Sequence, residues 1–309
     1  MRTLFVTHAS GLTHNMGPGH PEQPDRLRAI ERHLENERFQ ALARVDAVAA
    51  PREALLRVHP ESYLSALERS VPREGLTALD PDTLLCPHTL EAAFHAAGGA
   101  VAAVDEVMSG SADTAFVAVR PPGHHAGPTT AMGFCFLNNV ATAARHAAAV
   151  HGAERVAIVD FDVHHGNGTQ EIFWADRNVL FCSTHQAPYY PGTGATGERG
   201  DFDTIVNAPL WAGAGGDDFH EALTTVVLPR VKRFEPDLLL ISAGFDAHQN
   251  DPLGGLRLTE HDFSEATKRL MDVADRSAKG RVVSLLEGGY DLDALGRSVS
   301  AHVLALMGA

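Results

Sequence analysis

The sequence predicts an α/β protein with a mostly parallel sheet flanked by helices, and three observations lead there. Short apolar runs rich in β-branched residues alternate with longer amphipathic segments. No internal repeat, low-complexity tract or long linker interrupts them, so residues 1–309 read as a single domain. Unusual polar residues fall just after the apolar runs, where open α/β sheets gather their ligands.

In chain order, strands are expected at Thr3 to Thr7, Thr114 to Val119, Arg155 to Phe161, Val179 to Ser183, Leu238 to Ser242 and Arg281 to Leu286. Helices are expected at Arg26 to Phe39, Leu90 to Met108, Asn138 to Val150, Phe219 to Phe234, Glu260 to Arg276 and Leu292 to Met307. A chain of 309 residues with 44% hydrophobic content can bury a large core. Its formal net charge of -14 repels a phosphate backbone, so no nucleic-acid partner is expected. The same charge suits lysine-rich or polyamine-like cations, although solubility alone also accounts for it.

No apolar stretch is long enough to span a bilayer, so no membrane partner is expected. Polar Thr7 and His8 cut short the first apolar run, unlike a signal peptide. Cys86, Cys135 and Cys182 are odd in number and far apart, which disfavours a disulfide framework and predicts a reducing, cytoplasmic setting. Oligomeric state has no sequence handle.

The chemistry concentrates in Asp160-Phe161-Asp162-Val163-His164-His165-Gly166-Asn167. If this segment is extended, Asp160, Asp162 and His164 share one face. Two buried carboxylates and an imidazole are costly without a cation, so a metal is expected there. A solvated turn is the competing reading, and the apolar run Val156 to Val159 weighs against it. A catalytic zinc needs at least one more protein ligand, for which Asp246 is the best candidate, although an Asp after a strand often only caps the next helix.

His124 and His125 lie in Arg120-Pro121-Pro122-Gly123-His124-His125, a rigid context that suits proton transfer, with Asp160 and Asn167 available to orient them. Gly288 and Gly289 let the chain turn and aim Tyr290 at the rim. That phenol either stabilises an oxyanion or packs over the sheet end.

The stretch Asp160 to Gln170 resembles the histone deacetylase family, most closely its class II and bacterial members. Gly19-His20-Pro21-Glu22, Arg120 to Asn138, Tyr190-Pro191-Gly192-Thr193-Gly194, Ser242 to Gly255 and Leu286 to Leu292 extend the likeness in family order. The resemblance implies an arginase-like fold with an eight-stranded sheet and a zinc ion held by Asp162, His164 and Asp246. His125 is then the general base and later acid, and His124, paired with Asp160, the mainly electrostatic partner. Asn167 stands where class I members carry aspartate, which leaves His125 less biased toward imidazolium. Tyr290 is the oxyanion donor, and tyrosine rather than histidine there favours turnover of acetyl-lysine.

The resemblance also implies a tunnel lined by Gly133, Phe134, His185 and Tyr190, with Leu253 and Gly288 among the substrate-binding residues. Asp82 would hold the substrate backbone, and Arg26 would lie near the pocket floor. A potassium ion is implied at Asp160, Asp162, His164, Ser183 and Thr184, partly through main-chain oxygens. The expected reaction is hydrolysis of Nε-acyl-lysine in peptides or proteins. The first rival is an acetylated polyamine, disfavoured because Leu253 stands where polyamine enzymes can carry glutamate. Two further rivals are a binding protein without turnover and a two-manganese arginase-like hydrolase. The compact chain, without the long regulatory extensions of many eukaryotic relatives, points to a bacterial source.

Overall fold

The computed structural model describes residues 1–309. The chain begins with β1 (Thr3–Thr7), α1 (Asp25–His33), β2 (Ala43–Asp46), α2 (Arg52–Leu56), α3 (Glu61–Ser70) and a small hairpin of β3 (Thr77–Ala78) and β4 (Leu84–Leu85). Next come α4 (Thr89–Ser109), β5 (Thr114–Val117), α5 (Asn139–His151), β6 (Val156–Asp160), α6 (Asn167–Phe173), β7 (Val179–Gln186) and β8 (Ile205–Leu210). The last part holds α7 (Gly216–Ala222), α8 (Leu228–Phe234), β9 (Leu238–Ala243), α9 (Glu260–Ser277), β10 (Val282–Leu286) and α10 (Leu292–Leu306).

All six expected strands are present, and β2 and β8 complete an eight-stranded sheet in the order β2-β1-β5-β10-β9-β6-β7-β8. Every pairing in it is parallel. Both additional strands are edges. β2 is mostly exposed and lacks an apolar run, and β8 carries Pro209, which an edge tolerates because proline has no N–H to pair.

Two helix expectations need correction. The first helix ends at His33, not Phe39, because Asn36 Oδ1 accepts the Arg38 N–H and starts a separate 3-10 turn at Glu37–Phe39. The helix expected from Phe219 to Phe234 begins at Gly216 and is interrupted by a π-helical turn, Leu223–Val227, just before Pro229. Proline cannot donate to the carbonyl four residues back, and Thr225 Oγ1 bonds the Glu221 carbonyl at 2.8 Å, so the regular ladder loosens there.

Successive strand residues face opposite sides of the sheet. Phe116, Val159, Leu239 and Ile241 pack with Ile30 of α1, Val231 of α8, Phe263 of α9 and Leu295 of α10. Val117, Ile158, Leu238 and Leu240 pack with Val104 of α4 and Val140 of α5 on the other side. Burial on both faces explains why these strands read as continuous apolar runs. It also leaves one outlet for polar chemistry, the rim where β5, β10, β9 and β6 end side by side.

Candidate active site

The strand β6 stops at Asp160, so the expected extended face through His164 does not form. Asp160 Oδ1 instead accepts the Asp162 N–H at 3.0 Å, and Asp162 Oδ1 accepts the His164 N–H at 2.9 Å. Two successive side-chain-capped turns thus bring these residues together. Asp246, from the loop after β9, accepts the Val163 N–H at 2.9 Å through Oδ1. His164 Nδ1 lies 3.1 Å from Asp162 Oδ1 and 3.2 Å from Asp246 Oδ2.

Those three side chains offer ligand atoms all within 4.8 Å of one another. Asp162 and Asp246 are 1% and 0% exposed, and their ion-pair partners are histidines, not lysine or arginine. Two buried carboxylates converging on an imidazole fit a divalent metal, and this mixed N/O set suits zinc. Space behind the cluster is closed. A Cβ on Gly244 would lie 2.0 Å from Asp162 Oδ2, and one on Gly288 would lie 2.1 Å from Asp246 Oδ2. Gly288 also donates its N–H to Asp162 Oδ2 at 2.8 Å.

His124 Nδ1 donates to Asp160 Oδ2 at 2.9 Å. Burial opposes charge on His124, but Asp160, Asp162 and Glu287 outweigh it and push its pKa up to about 10. The His125 ring centroid is 4.0 Å away. Burial, then the positive charge of the adjacent His124, hold His125 well below the usual histidine range. His125 Nδ1 meets Asn167 Oδ1 at 2.8 Å, so Nδ1 carries the proton and Nε2 keeps its lone pair.

Tyr290 is reached through Gly289, whose φ of 124° favours glycine. Its N–H donates to Asp251 Oδ2 at 2.6 Å, and Arg26 lies 4.8 Å from its ring centroid. Burial raises the phenol pKa well above its ordinary value, so the hydroxyl stays a donor. Arg26 donates to the carbonyls of Gly289 at 2.6 Å and Glu287 at 2.5 Å and pairs with Glu22, so it supports this turn from below.

A cavity of about 210 Å³ opens over these groups, lined by Asp82, His125, Gly133, Phe134, His164, Tyr189, Tyr190, Leu253 and Tyr290. Phe134 meets Tyr290 edge-on with centroids 5.8 Å apart, and Tyr190 meets His125 at 5.3 Å. Asp82 sits on a loop whose carbonyl accepts His20 Nε2–H at 3.0 Å, and the His20 ring packs edge-on against Phe134.

Two expected substrate-binding residues lie elsewhere. His185 is fully buried behind the wall, with Nδ1 2.9 Å from Ser183 Oγ and Nε2 3.0 Å from the Gly194 carbonyl, so it supports the loop that carries Tyr190. Gly288 lies behind the carboxylates rather than in the cavity. Ser183 and Thr184 are buried near the end of β7, where Thr184 Oγ1 has no hydrogen-bond partner. Sequence reasoning missed Tyr189, which stacks on His164 at 5.5 Å and neighbours the chosen Tyr190. It also missed Asp251, which holds the Tyr290 and Leu253 N–H groups, and Glu287; an acid at the end of an apolar strand was the available signal.

The histone deacetylase domain family matches residues 20–306. A probable deacetylase of Archaeoglobus fulgidus is 38% identical, with 99% of this chain and 86% of the relative covered. A histone deacetylase-like amidohydrolase of Pseudomonas aeruginosa is 42% identical, with 88% and 73% covered. The crystal structure of the HDA15 HD domain superposes with a TM-score of 0.94 at 38% identity, covering 99% of this chain and 88% of that one. Likeness of this extent, reaching across every loop that builds the rim, makes the protein a member of the histone deacetylase family.

Proposed function

We propose that the protein hydrolyses the amide bond of Nε-acyl-lysine in peptides or proteins. The observation that carries this reading is the cavity: narrow, walled by Phe134, Tyr189 and Tyr190, and ending at His125, His164 and Tyr290. Aromatic walls suit a methylene stem whose polar end is the acyl amide. The names of the relatives, deacetylase and amidohydrolase, support the same chemistry.

Asp162, His164 and Asp246 would hold the zinc ion, which when bound polarises the acyl carbonyl and acidifies water. The neutral His125 accepts the water proton at Nε2 while Asn167 keeps its Nδ1–H in place. The same nitrogen returns that proton to the leaving amine as the C–N bond breaks, giving a carboxylic acid and a free amine. His124, charged and fixed by Asp160, supplies positive potential beside the reacting carbonyl. Tyr290 donates its hydroxyl to the developing oxyanion.

Asp82, at the cavity mouth, would accept a substrate main-chain N–H. Potassium at Ser183 and Thr184 belongs to this reading as well, and the unpartnered Thr184 Oγ1 fits it. The three buried free thiols agree with a reducing, cytoplasmic setting.

A second reading, an acetylated polyamine as substrate, draws on Asp80 beside Asp82, where burial and the neighbouring acid raise the Asp82 carboxyl pKa. Leu253 at the same mouth offers no charge to a polyamine and favours the lysine reading. The deciding experiment is hydrolysis of an acetyl-lysine peptide against N-acetylputrescine by the zinc-loaded protein. Preference for the peptide, lost in Tyr290→Phe, supports the proposal; preference for N-acetylputrescine replaces it with the second reading.

A further inference from the structure

Glu287 is fully buried, directly follows β10, and its carboxylate bonds to amides and a hydroxyl rather than to a lysine or arginine. Its oxygens join three of the four central strand ends. Oε2 accepts the N–H groups of Gly123 at 2.7 Å and His124 at 3.1 Å, both on the loop after β5. Oε1 accepts the Ser242 hydroxyl at 3.0 Å from β9. The glutamate backbone is fixed too, its N–H donating to the Ala243 carbonyl at 2.9 Å and its carbonyl accepting from Arg26.

The histidine loop is held on its other side by Thr169, whose N–H donates to the His124 carbonyl at 3.1 Å, and by Asn139, whose Nδ2 donates to the Pro121 carbonyl at 3.2 Å. A Cβ on Gly123 would lie 2.6 Å from the Asn139 nitrogen, so the loop cannot retreat in that direction. Glu287 therefore supplies the acceptor for two buried donors on the side facing the sheet, and those donors flank the His124–His125 pair. Without it both N–H groups would be desolvated and unpaired, a cost that movement of the loop would relieve.

We infer that Glu287 is a positioning residue: its two-fold acceptance of the Gly123 and His124 amides sets where the histidine pair stands relative to Tyr290 and the metal ligands. It touches no substrate atom. Beyond the negative charge it adds beside His124, the reach of the side chain is what places the loop, because a single oxygen must meet two adjacent N–H groups. The inference rests on the deacylase reading for its kinetic consequence but not for its structural one.

Two conservative variants separate reach from charge. Glu287→Gln keeps the chain length and one oxygen acceptor but removes the charge, whereas Glu287→Asp keeps the charge and withdraws the acceptor by one methylene. With an acetyl-lysine peptide, Asp is expected to lower kcat by about 10- to 100-fold, the range for supporting partners of a metal site, with KM little changed. Gln should lower kcat by less than about tenfold, since its amide oxygen still accepts both N–H groups while its NH2 donates to Ser242 Oγ in place of the bond that the carboxylate accepted. Amide hydrogen exchange at Gly123 and His124 should accelerate in Asp and stay protected in Gln, a readout independent of turnover.

Equal effects of the two variants, the reverse order, or unchanged protection in Asp would overturn the inference. A parent protein that hydrolyses no acyl-lysine peptide sinks the deacylase reading alone, and the exchange measurement then decides the role of Glu287 by itself.

Discussion

Two clusters in this protein bring carboxylate and imidazole atoms within 4.8 Å, and they are built in opposite ways. At the sheet rim, Asp162, His164 and Asp246 are held by backbone donors, and His164 Nδ1 stands 3.1 and 3.2 Å from the carboxylate oxygens. Between α4 and α5, one oxygen of Asp105 accepts His146 Nε2–H at 2.7 Å and His151 Nε2–H at 2.6 Å. These are short, charge-assisted hydrogen bonds in which the carboxylate oxygen accepts from both rings. Arg57 donates to His146 Nδ1 at 3.2 Å, which fixes the proton of that ring on Nε2, where a metal would have to bind. Asp105 is also 47% exposed, so water solvates its charge. Proximity of ligand types is shared; what differs is whether charge is left uncompensated in a dry place and whether nitrogen lone pairs are free.

Breaking the rim cluster should have the largest effect. Asp246→Asn is expected to lose bound zinc by elemental analysis and more than about 100-fold in kcat/KM, beyond the loss typical of supporting partners. Full metal content in that variant would remove Asp246 from the ligand set. Tyr290→Phe should come next, lowering kcat by about 10²–10³-fold while zinc content and folding stay unchanged.

The helix cluster should respond far less. Asp105→Asn should leave kcat/KM within about twofold and cost less than about 1 kcal/mol in denaturant unfolding, since the Asp105 carboxylate is half exposed. Burial disfavours the Asp105 carboxylate, but the hydrogen bonds from His151 and His146 outweigh it and hold its pKa below the usual range. The stabilisation is therefore present above the unfolded-state value of about 3.9 and is lost as pH falls through the lowered folded value. Parent and variant stabilities should converge in that acid window. A gap that instead widens toward acid would contradict the assignment. Arg57→Ala gives the smallest and sharpest test. By freeing His146 Nδ1 to carry the proton, it should let a weak second equivalent of zinc bind without changing turnover; continued one-to-one stoichiometry would make the exposure of Asp105 the barrier.

The same contrast explains what could be read from the sequence. Asp160 to His164 stood out because carboxylates follow a buried apolar strand, and the central strands stood out because both their faces are covered. The local geometry did not, since alternation predicts an extended face while the real turns come from Asp160 and Asp162 capping N–H groups two residues on. β2 escaped because it is mostly exposed and lacks an apolar run, and β8, though buried, because Asn207 and Pro209 break up its short apolar stretch. The family resemblance puts His185 in the tunnel, whereas its ring bonds the inside of the loop. Glu287 and Asp251 act on backbone amides, contacts that leave no periodic signature.

Gly244 and Gly288 close the space behind Asp162 and Asp246 so tightly that any side chain there would collide with a carboxylate. The back of the site is thus shut to variation, while the mouth is built from loops bearing Asp82, Tyr189, Tyr190 and Leu253. Descent with modification can retune what this protein accepts through those loops without disturbing the chemistry, so a lineage carrying it is free to change its clientele while its reaction stays the same.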